Sequence, residues 1–518
     1  MPRYAAVDIG SNSVRMMAAE VAHGETRILA QDRQVTRLGE SVFRSGEISK
    51  EALDFLCANL ARMAGTYTRL DVIGVRAVAT SAVRDANNQS EFLERTSAAL
   101  GTKVEIISGS EEARLIQLGV EARWPRPKER TLIVDVGGGS AELIVAQGGA
   151  LIDAVSKPLG AVRLTEVFLK TDPPDAEELH RLQSYIDEKF LSFHKLHGSE
   201  KFDRTIATSA TAAAIVCAAN AVPRTKREEA DRLRATINQV RDLYATVASS
   251  SLAARRRIAG IGPRRAEIIV AGTAVFLRVL ETFGLRSLFY CAAGVRDGII
   301  ADLTARGVGR ELSQLSREQR AVVEAMAKRY GVAIKHARHV ACLSRQLFET
   351  LQPMHQLTPA AGKLLEAAAY LHDIGHFVSS TGHHKHSAYL VGNSDMPGFT
   401  TQERLAIALL CRFHRKALPQ ARHTAFQTLD PESKRIVMSL TPLLRIADSL
   451  DRGHEQKVRN VSSTVRDGVI QLAIESEREA DLEIWAANQA AEAFRLVYGK
   501  TLSVQRAKAR GFKLAATH

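Results

Sequence analysis

The chain has 518 residues, 45% hydrophobic, 25% charged and 5% aromatic, a globular composition that excludes disorder as the default and is too long for a single core. Lys and Arg outnumber Asp and Glu by 70 to 57, a formal net charge of +13, so polyanions of any kind are the expected partners: nucleic acid, anionic lipid or polyphosphate. No apolar run reaches the ~18 residues of a membrane span, and the five scattered cysteines lack Cys-x-x-Cys spacing, which excludes a disulfide framework and a zinc knuckle and points to a reducing cytoplasm.

Met1-Pro2-Arg3-Tyr4 runs straight into a strand-like segment, with none of the charged and apolar regions of a secretory leader. That segment ends in Val7-Asp8-Ile9-Gly10-Ser11-Asn12-Ser13, and the apolar stretch Val14 to Val21 follows. The pattern returns as Val134-Asp135-Val136-Gly137-Gly138-Gly139-Ser140, ahead of Leu143 to Ala146. Both read apolar-Asp-apolar-Gly, then two small or polar residues, then Ser. Glycines permit positive φ and let backbone N–H groups approach an anion with no Cβ in the way. An aspartate beside bound phosphates usually serves them through a hard cation such as Mg²⁺. A hairpin turn would account for either run alone. Its recurrence far along the chain favours one phosphate-gripping device used twice.

Strand-like runs at Val72 to Val78, Thr131 to Asp135 and Ser287 to Cys291 alternate with helical patterns as far as about Leu303, the signature of α/β architecture. Pro125-Arg126-Pro127 divides this region into two lobes, 1–125 and 126–303. A cleft is expected between them, with one phosphate loop on each wall. The polar stretch Ala305 to Glu318 reads as a linker. Helical periodicity then covers Gln319 to Tyr330, His336 to Leu351 and Ala360 to Leu371, within a helical domain over 317–452. Beyond it Val458 to Val465 and Val469 to Ile474 read as paired strands, Ala480 to Phe494 as a helix and Thr501 to Gln505 as a last strand, forming a small α+β module over 455–518. Basic residues cluster at Arg255-Arg256-Arg257, at Arg264-Arg265 and from Lys500 to Lys513.

Two further segments follow the first loop: Ala79-Thr80-Ser81-Ala82-Val83-Arg84-Asp85-Ala86-Asn87 and Ile107-Ser108-Gly109-Ser110-Glu111-Glu112-Ala113-Arg114. Together with the two loops and Gly294-Val295-Arg296-Asp297-Gly298, they resemble the exopolyphosphatase and guanosine pentaphosphate phosphohydrolase (Ppx/GppA) family. The resemblance implies two actin-like (ribonuclease H-like) lobes around a cleft, a homodimer, and release of terminal phosphate from inorganic polyphosphate, with guanosine pentaphosphate as the alternative substrate.

The family's catalytic glutamate falls on Glu112. The residues themselves permit this: Ser110 resembles an N-cap and Glu111 suits the helix macrodipole, while a lone carboxylate near phosphate can orient a water and accept its proton. The same resemblance implies that Asp135 and Glu142, with Asp8 facing them, hold Mg²⁺ or Mn²⁺, and that Ser11, Asn12, Ser13, Arg84, Gly137, Gly138, Gly139, Ser140, Ser209 and Thr211 bind substrate phosphate. Arg84 suits this task because its planar fork binds two oxygens at once; the alternative is a salt bridge to a neighbouring acid such as Asp85. In Thr208-Ser209-Ala210-Thr211 an alanine stands where the family carries glycine, which narrows backbone approach to a nucleotide or phosphate.

His336, His372-Asp373 and Asp448, with their local patterns, resemble the HD metal-dependent phosphohydrolase superfamily. That implies an all-α HD-like domain with a second divalent-metal site; buried, hydrogen-bonded histidines are the alternative. His383, His384 and His386 read as a solvated loop. The low aromatic content and the lack of an aromatic-interleaved basic motif argue against nucleic acid as partner. A non-catalytic polyanion binder and a nucleotide hydrolase working through the HD-like residues remain open alternatives.

Overall fold

Each echoing run joins two antiparallel strands, and the sheets of the first compact unit grow outward from these hairpins. The computed structural model describes residues 1–22, 25–305, 313–466 and 469–507; much of the expected linker and part of the basic run from Lys500 to Lys513 lie outside them. The chain divides into two compact units, Met1–Ala305 and Arg306–His518.

In the first unit, β1 (Arg3–Ile9), β2 (Ser13–Ala22), β3 (Glu25–Val35), β4 (Gly74–Ala79) and β5 (Val104–Ile106) form a sheet ordered β3-β2-β1-β4-β5. A second sheet contains β6 (Arg130–Val136), β7 (Ala141–Gln147), β8 (Ala150–Lys157), β9 (Arg204–Thr208), β10 (Arg234–Thr236) and β11 (Ser287–Tyr290), ordered β10-β11-β9-β6-β7-β8. Read from β8, the order β8-β7-β6-β9-β11 repeats the first sheet, with β10 added antiparallel at one edge. In each sheet the strand carrying the Asp pairs parallel with the next strand inward, β1 with β4 and β6 with β9. These central strands bury both faces, which is why Leu132-Ile133-Val134 and Ala5-Ala6-Val7 are continuous apolar runs rather than alternating ones.

The chain then returns to the first sheet. The Val295–Ala305 helix buries Ile299 and Ile300 with Tyr4, Ala6, Met17, Ala19 and Val78, so this helix, expected with the second lobe, belongs by packing to the first. It also crosses the Gly109–Arg123 helix at backbone contact: a Cβ on Gly298 would lie 1.7 Å from the Leu115 carbonyl oxygen. A buried ion cluster closes the junction. Arg76 donates to Asp302 at 2.9 Å and to Glu111 at 3.0 Å, while Arg114 donates to Glu111 and to Asp302 at 2.8 Å each. Glu111, expected to serve the helix macrodipole, is thus a buried partner of two guanidiniums, because the helix start lies against β4.

The second unit is mainly helical, with helices Arg317–Arg329, Ile334–Thr350, Ala360–Leu371, His383–Gly392, Thr401–Phe413 and Pro431–Ser449. A sheet of β12 (Val458–Arg466), β13 (Val469–Ser476) and β14 (Leu502–Arg506), in that order, packs with the Asp481–Tyr498 helix. The separate C-terminal module expected from sequence is not separate: Val461, Leu472, Ile474 and Phe494 share one core with Leu343, Leu347 and Leu440. No described helix is long and apolar enough to cross a membrane.

Removing Asp302 leaves two buried guanidiniums short of a counter-charge, which costs about 3–5 kcal/mol. Asp302→Ala is therefore expected to lower the melting temperature of the first unit by several degrees, read by calorimetry, whereas Asp54→Ala, whose Arg95 pair is exposed, is expected to shift it little. Equal shifts in the two variants would remove the cluster from its structural role.

Candidate active site

The two hairpin turns have the same internal bond: Gly10 N–H donates to Ser13 O at 3.1 Å and Gly137 N–H to Ser140 O at 3.0 Å. Positive φ, expected of these glycines, is absent at Gly10, Gly137, Gly138 and Gly139. Close approach is the reason for glycine here. A Cβ on Gly139 would lie 2.5 Å from Ser81 Oγ and 2.7 Å from Ser11 Oγ of the facing lobe.

Several polar groups lock the loops in place. Ser11 Oγ accepts from Ala82 N–H at 3.1 Å and Ser11 O accepts from Gly39 N–H at 2.7 Å, while Asn12 O receives Thr36 N–H and Arg37 N–H. Arg163, which sequence reasoning missed, joins the two walls. It donates to Gly139 O at 2.7 Å and to Ser81 Oγ at 3.2 Å, and it pairs with Asp85. Asp85 is therefore not the partner of Arg84. Arg84 donates instead to Ile107 O at 2.9 Å and to Glu112 Oε2 at 2.8 Å.

Glu112 sits in the first turn of the Gly109–Arg123 helix. The cap of that helix is Ser108, not Ser110 as expected: Ser108 is extended and its Oγ accepts from Glu111 N–H at 3.2 Å. That register leaves Glu112 8% exposed and lining the cleft. Burial, opposed by Arg84 and reinforced by Asp8 and Asp135, pushes its carboxyl up to about 7.

Three more acids converge with it. Asp8 and Asp135 occupy equivalent places on β1 and β6, and Glu142 lies opposite Asp135 across the β6–β7 ladder. Burial raises Asp8, lifts Asp135 to about 6 against the hydroxyl donated by Thr208, and holds Glu142 well above the usual carboxylate range with help from Glu112 and Asp135. Glu142 Oε1 accepts from Ser156 Oγ at 2.7 Å, while its buried Oε2 has no hydrogen-bond partner. An orphaned buried carboxylate oxygen among mutually repelling acids fits a hard, oxygen-seeking divalent cation.

A basic side faces this acidic one. The cleft, about 360 Å³ in volume, is also lined by Arg15, Arg33, Arg227, Arg265 and Arg296. It shares Asn12, Arg33, Ala210, Arg227 and Arg265 with a neighbouring cavity of about 470 Å³ that adds Arg224 and Arg264. Burial and mutual repulsion push Arg265 down to about 9 and Arg33 down to about 10. None of the five cleft arginines forms an ion pair among the described residues. Arg265 donates only to Thr211 Oγ1, at 3.2 Å, and the Thr211 hydroxyl donates to Val136 O. Ser209, at the head of the Ser209–Ala219 helix, holds φ at +85°, so the backbone position that would favour glycine is Ser209 rather than the neighbouring Ala210. Ser13, Gly137, Gly138 and Ser140 line the same cleft.

In the second unit, His336, His372, Asp373 and Asp448 do come together, with His372 Nε2 3.4 Å from Asp448 Oδ1 and 3.6 Å from Asp373 Oδ2. His383 and His384, expected in a solvated loop, open the His383–Gly392 helix and are buried; His386 is half-buried. The polar run His383-His384-Lys385-His386 conceals this because its burial depends on His414, far along the chain.

Models of one protein family match most of the chain. The model of the Ppx/GppA phosphatase family matches residues 17–306, and that of Ppx/GppA phosphatase domain III matches residues 318–490. Among solved structures, an Aquifex aeolicus member of the Ppx/GppA family is 28% identical over 60% of this chain and 99% of its own, with a TM-score of 0.52. An exopolyphosphatase-like protein is 28% identical over 58% and 97%, with a TM-score of 0.55. An exopolyphosphatase from Cytophaga hutchinsonii, 23% identical over 58% and 97% at a TM-score of 0.54, shares the fold.

The acid cluster sets a pH dependence of stability. In the unfolded chain these carboxyls ionise near pH ~4, whereas in the folded one Asp135 and Glu112 do so only at about 6 and about 7. The stability they contribute is present at low pH and is lost as pH rises through that window. Magnesium is expected to raise the melting temperature more at pH 8 than at pH 5. Glu142→Gln is expected to raise it at pH 8 without magnesium and to shrink the magnesium effect; a gain independent of pH and of Glu142 would show that the cluster is not the cation site.

Proposed function

The chain belongs to the Ppx/GppA phosphatase family and is a phosphoric anhydride hydrolase, and on that premise we propose that it is an exopolyphosphatase, removing the terminal phosphate of inorganic polyphosphate. The observation that carries the choice of substrate is the run of arginines that form no ion pair among the described residues, which continues from the cleft into the second cavity. A linear chain of phosphates needs such a path. The lining of the second cavity contains no aromatic side chain on which guanine would stack, which favours polyphosphate over guanosine pentaphosphate.

In this reading the terminal phosphoryl group lies between the two loops, its oxygens facing the cleft arginines and the serine and asparagine groups of residues 11–13 and 137–140. Glu112, held at a fixed angle by Arg84, accepts a proton from water as the water oxygen bonds to phosphorus. The anhydride P–O bond on the far side breaks, and the shortened chain keeps the electron pair. The arginines offset charge on the leaving end in a cleft where water screens it little. Asp135 and Glu142, with Asp8 opposite, would hold Mg²⁺ or Mn²⁺, which supplies charge neutralisation at the phosphoryl oxygens.

Glu112→Gln keeps the shape of the side chain and removes the base. Its turnover of long-chain polyphosphate is expected to fall about 10²–10⁴-fold. Because Glu112 works as the carboxylate and its carboxyl in the free enzyme is held at about 7, wild-type kcat/KM should rise with pH through that value and then level. Arg224→Ser with Arg264→Ser, in the second cavity, should raise KM for long polyphosphate more than for tripolyphosphate and flatten its salt dependence. Guanosine pentaphosphate turned over with a higher kcat/KM than polyphosphate would reverse the substrate order.

A further inference from the structure

The cleft has a second continuation, on the side of Glu112. A cavity of about 410 Å³ shares Ser81 and Ser140 with the cleft and adds Arg84, Ser156, Lys157 and Arg163. It backs directly onto the acids: Arg84 donates to Glu112 Oε2 at 2.8 Å, and Ser156 Oγ donates to Glu142 Oε1 at 2.7 Å. The arginine path that holds Arg224 and Arg264 meets the cleft elsewhere, through Asn12, Arg33, Arg227 and Arg265. The two cavities have no lining residue in common. The cleft therefore opens by two separate routes.

The lining of this second route is basic. Among its described residues Arg84, Lys157 and Arg163 stand with one acid, Asp85. Arg163 is spent on that acid, on Gly139 O and on Ser81 Oγ, with its guanidinium 4.0 Å from the centre of the Phe43 ring. The other two cations keep donors in reserve. Arg84 commits only Nη1, to Ile107 O and Glu112, so its Nε and Nη2 make no hydrogen bond among the described residues. Lys157 Nζ donates to Ser192 Oγ at 3.0 Å and forms no ion pair among the described residues, which leaves it further N–H groups. Unengaged donors on a guanidinium and an ammonium suit a small, multiply charged oxyanion.

In-line displacement decides which oxyanion arrives there. The attacking water and the leaving chain lie on opposite sides of the phosphorus. With the chain on the arginine path and the water beside Glu112, the new orthophosphate carries the water oxygen on its Glu112 and Arg84 side. Its way out past the chain is closed for as long as the shortened polyphosphate keeps the arginines. Ser81 and Ser140 connect it instead with the cavity behind Arg84. At about 410 Å³, against the ~30 Å³ that one water takes in the liquid, that cavity has room for orthophosphate with part of its hydration shell.

We propose that this cavity is the exit site for orthophosphate, a product site on Arg84 and Lys157 from which phosphate leaves while the shortened chain stays on the arginine path. The inference rests on the exopolyphosphatase reading and deepens it. Substrate held by one route and product released by the other let successive phosphates be removed without letting go of the chain. Lys157 is half-buried, so the charge that draws phosphate outward is itself screened by water, and the site holds its ion loosely enough to release it.

The test follows phosphate release by the full chain from radiolabelled long-chain polyphosphate with Mg²⁺, at several concentrations of added unlabelled orthophosphate. Because orthophosphate can enter the exit site while the chain is bound, it should lower the apparent kcat without raising KM. Lys157→Ala should raise the inhibition constant roughly two- to five-fold, and Lys157→Glu should raise it further, whereas Arg224→Ser with Arg264→Ser, on the other route, should leave that constant where it is. Purely competitive inhibition in the wild type, which needs no folded variant to observe, would overturn the proposal, as would an inhibition constant that Lys157→Ala does not move. A chain that hydrolyses no polyphosphate overturns the substrate reading instead, and equilibrium dialysis of labelled orthophosphate then judges the site: weaker binding to Lys157→Ala than to wild type supports it, and equal binding sinks it.

Discussion

The crowding of four carboxylates in one cleft, two buried and two half-buried, is the constraint on which the rest of the first unit depends. Glu112, Asp135 and Glu142 are held above their ordinary ionisation range by burial and by neighbouring acids, and Asp8 by burial against the pull of Arg15 and Arg296. Such a group persists only where surrounding structure leaves it no escape. Asp8 and Asp135 are fixed by the paired central strands, Glu142 by its ladder position opposite Asp135. Glu112 is fixed by its helix, whose opposite face is fastened through Glu111 and Arg114 to Arg76 and Asp302. The strain at the site is thus balanced by an ion cluster one residue along the same helix.

Duplication explains how two walls meet, and its one asymmetry explains why they differ. Five strands of each sheet repeat in order, and the loops repeat their Asp, first Gly and Ser. Yet opposite Asp8 the ladder places Arg15, whereas opposite Asp135 it places Glu142. A single exchange of sign at equivalent positions makes one wall acidic and adds the other to the basic side of the cleft. Both functions are needed where a polyanion must approach a cation site without being repelled by the acids that hold the cation.

What the sequence made legible was what is contiguous. The two Asp-x-Gly runs, the strand beginning near Thr131 and the helix bearing Glu112 can be read because a turn, a ladder or a cap is written in neighbouring residues. Arg163, Arg33 and Arg227 were not legible, since each comes from a different element and nothing local marks its role, while Arg265 was marked only by its basic neighbour Arg264. Ser108 and Ser110 are both competent caps, and only the backbone angle at the helix start decides between them. The histidine run at 383–386 was misread for the same reason: its composition resembles a solvated face, and its burial is settled by His414 some thirty residues later.

The carboxylate cluster of the first unit and the histidine cluster of the second differ in how each can relieve its own crowding. The cluster of the first unit can relieve its repulsion by taking up protons, because carboxyls lifted to about 6 and about 7 are protonated at mildly acid pH. The facing Nε2 lone pairs of His383 and His414 have a narrower choice: both Nδ1 protons are held by backbone carbonyls, and a proton placed between the rings makes a buried imidazolium beside the guanidiniums of Arg412 and Arg415, whose charge already disfavours protonation nearby. Asp373 offsets part of that cost from one side only.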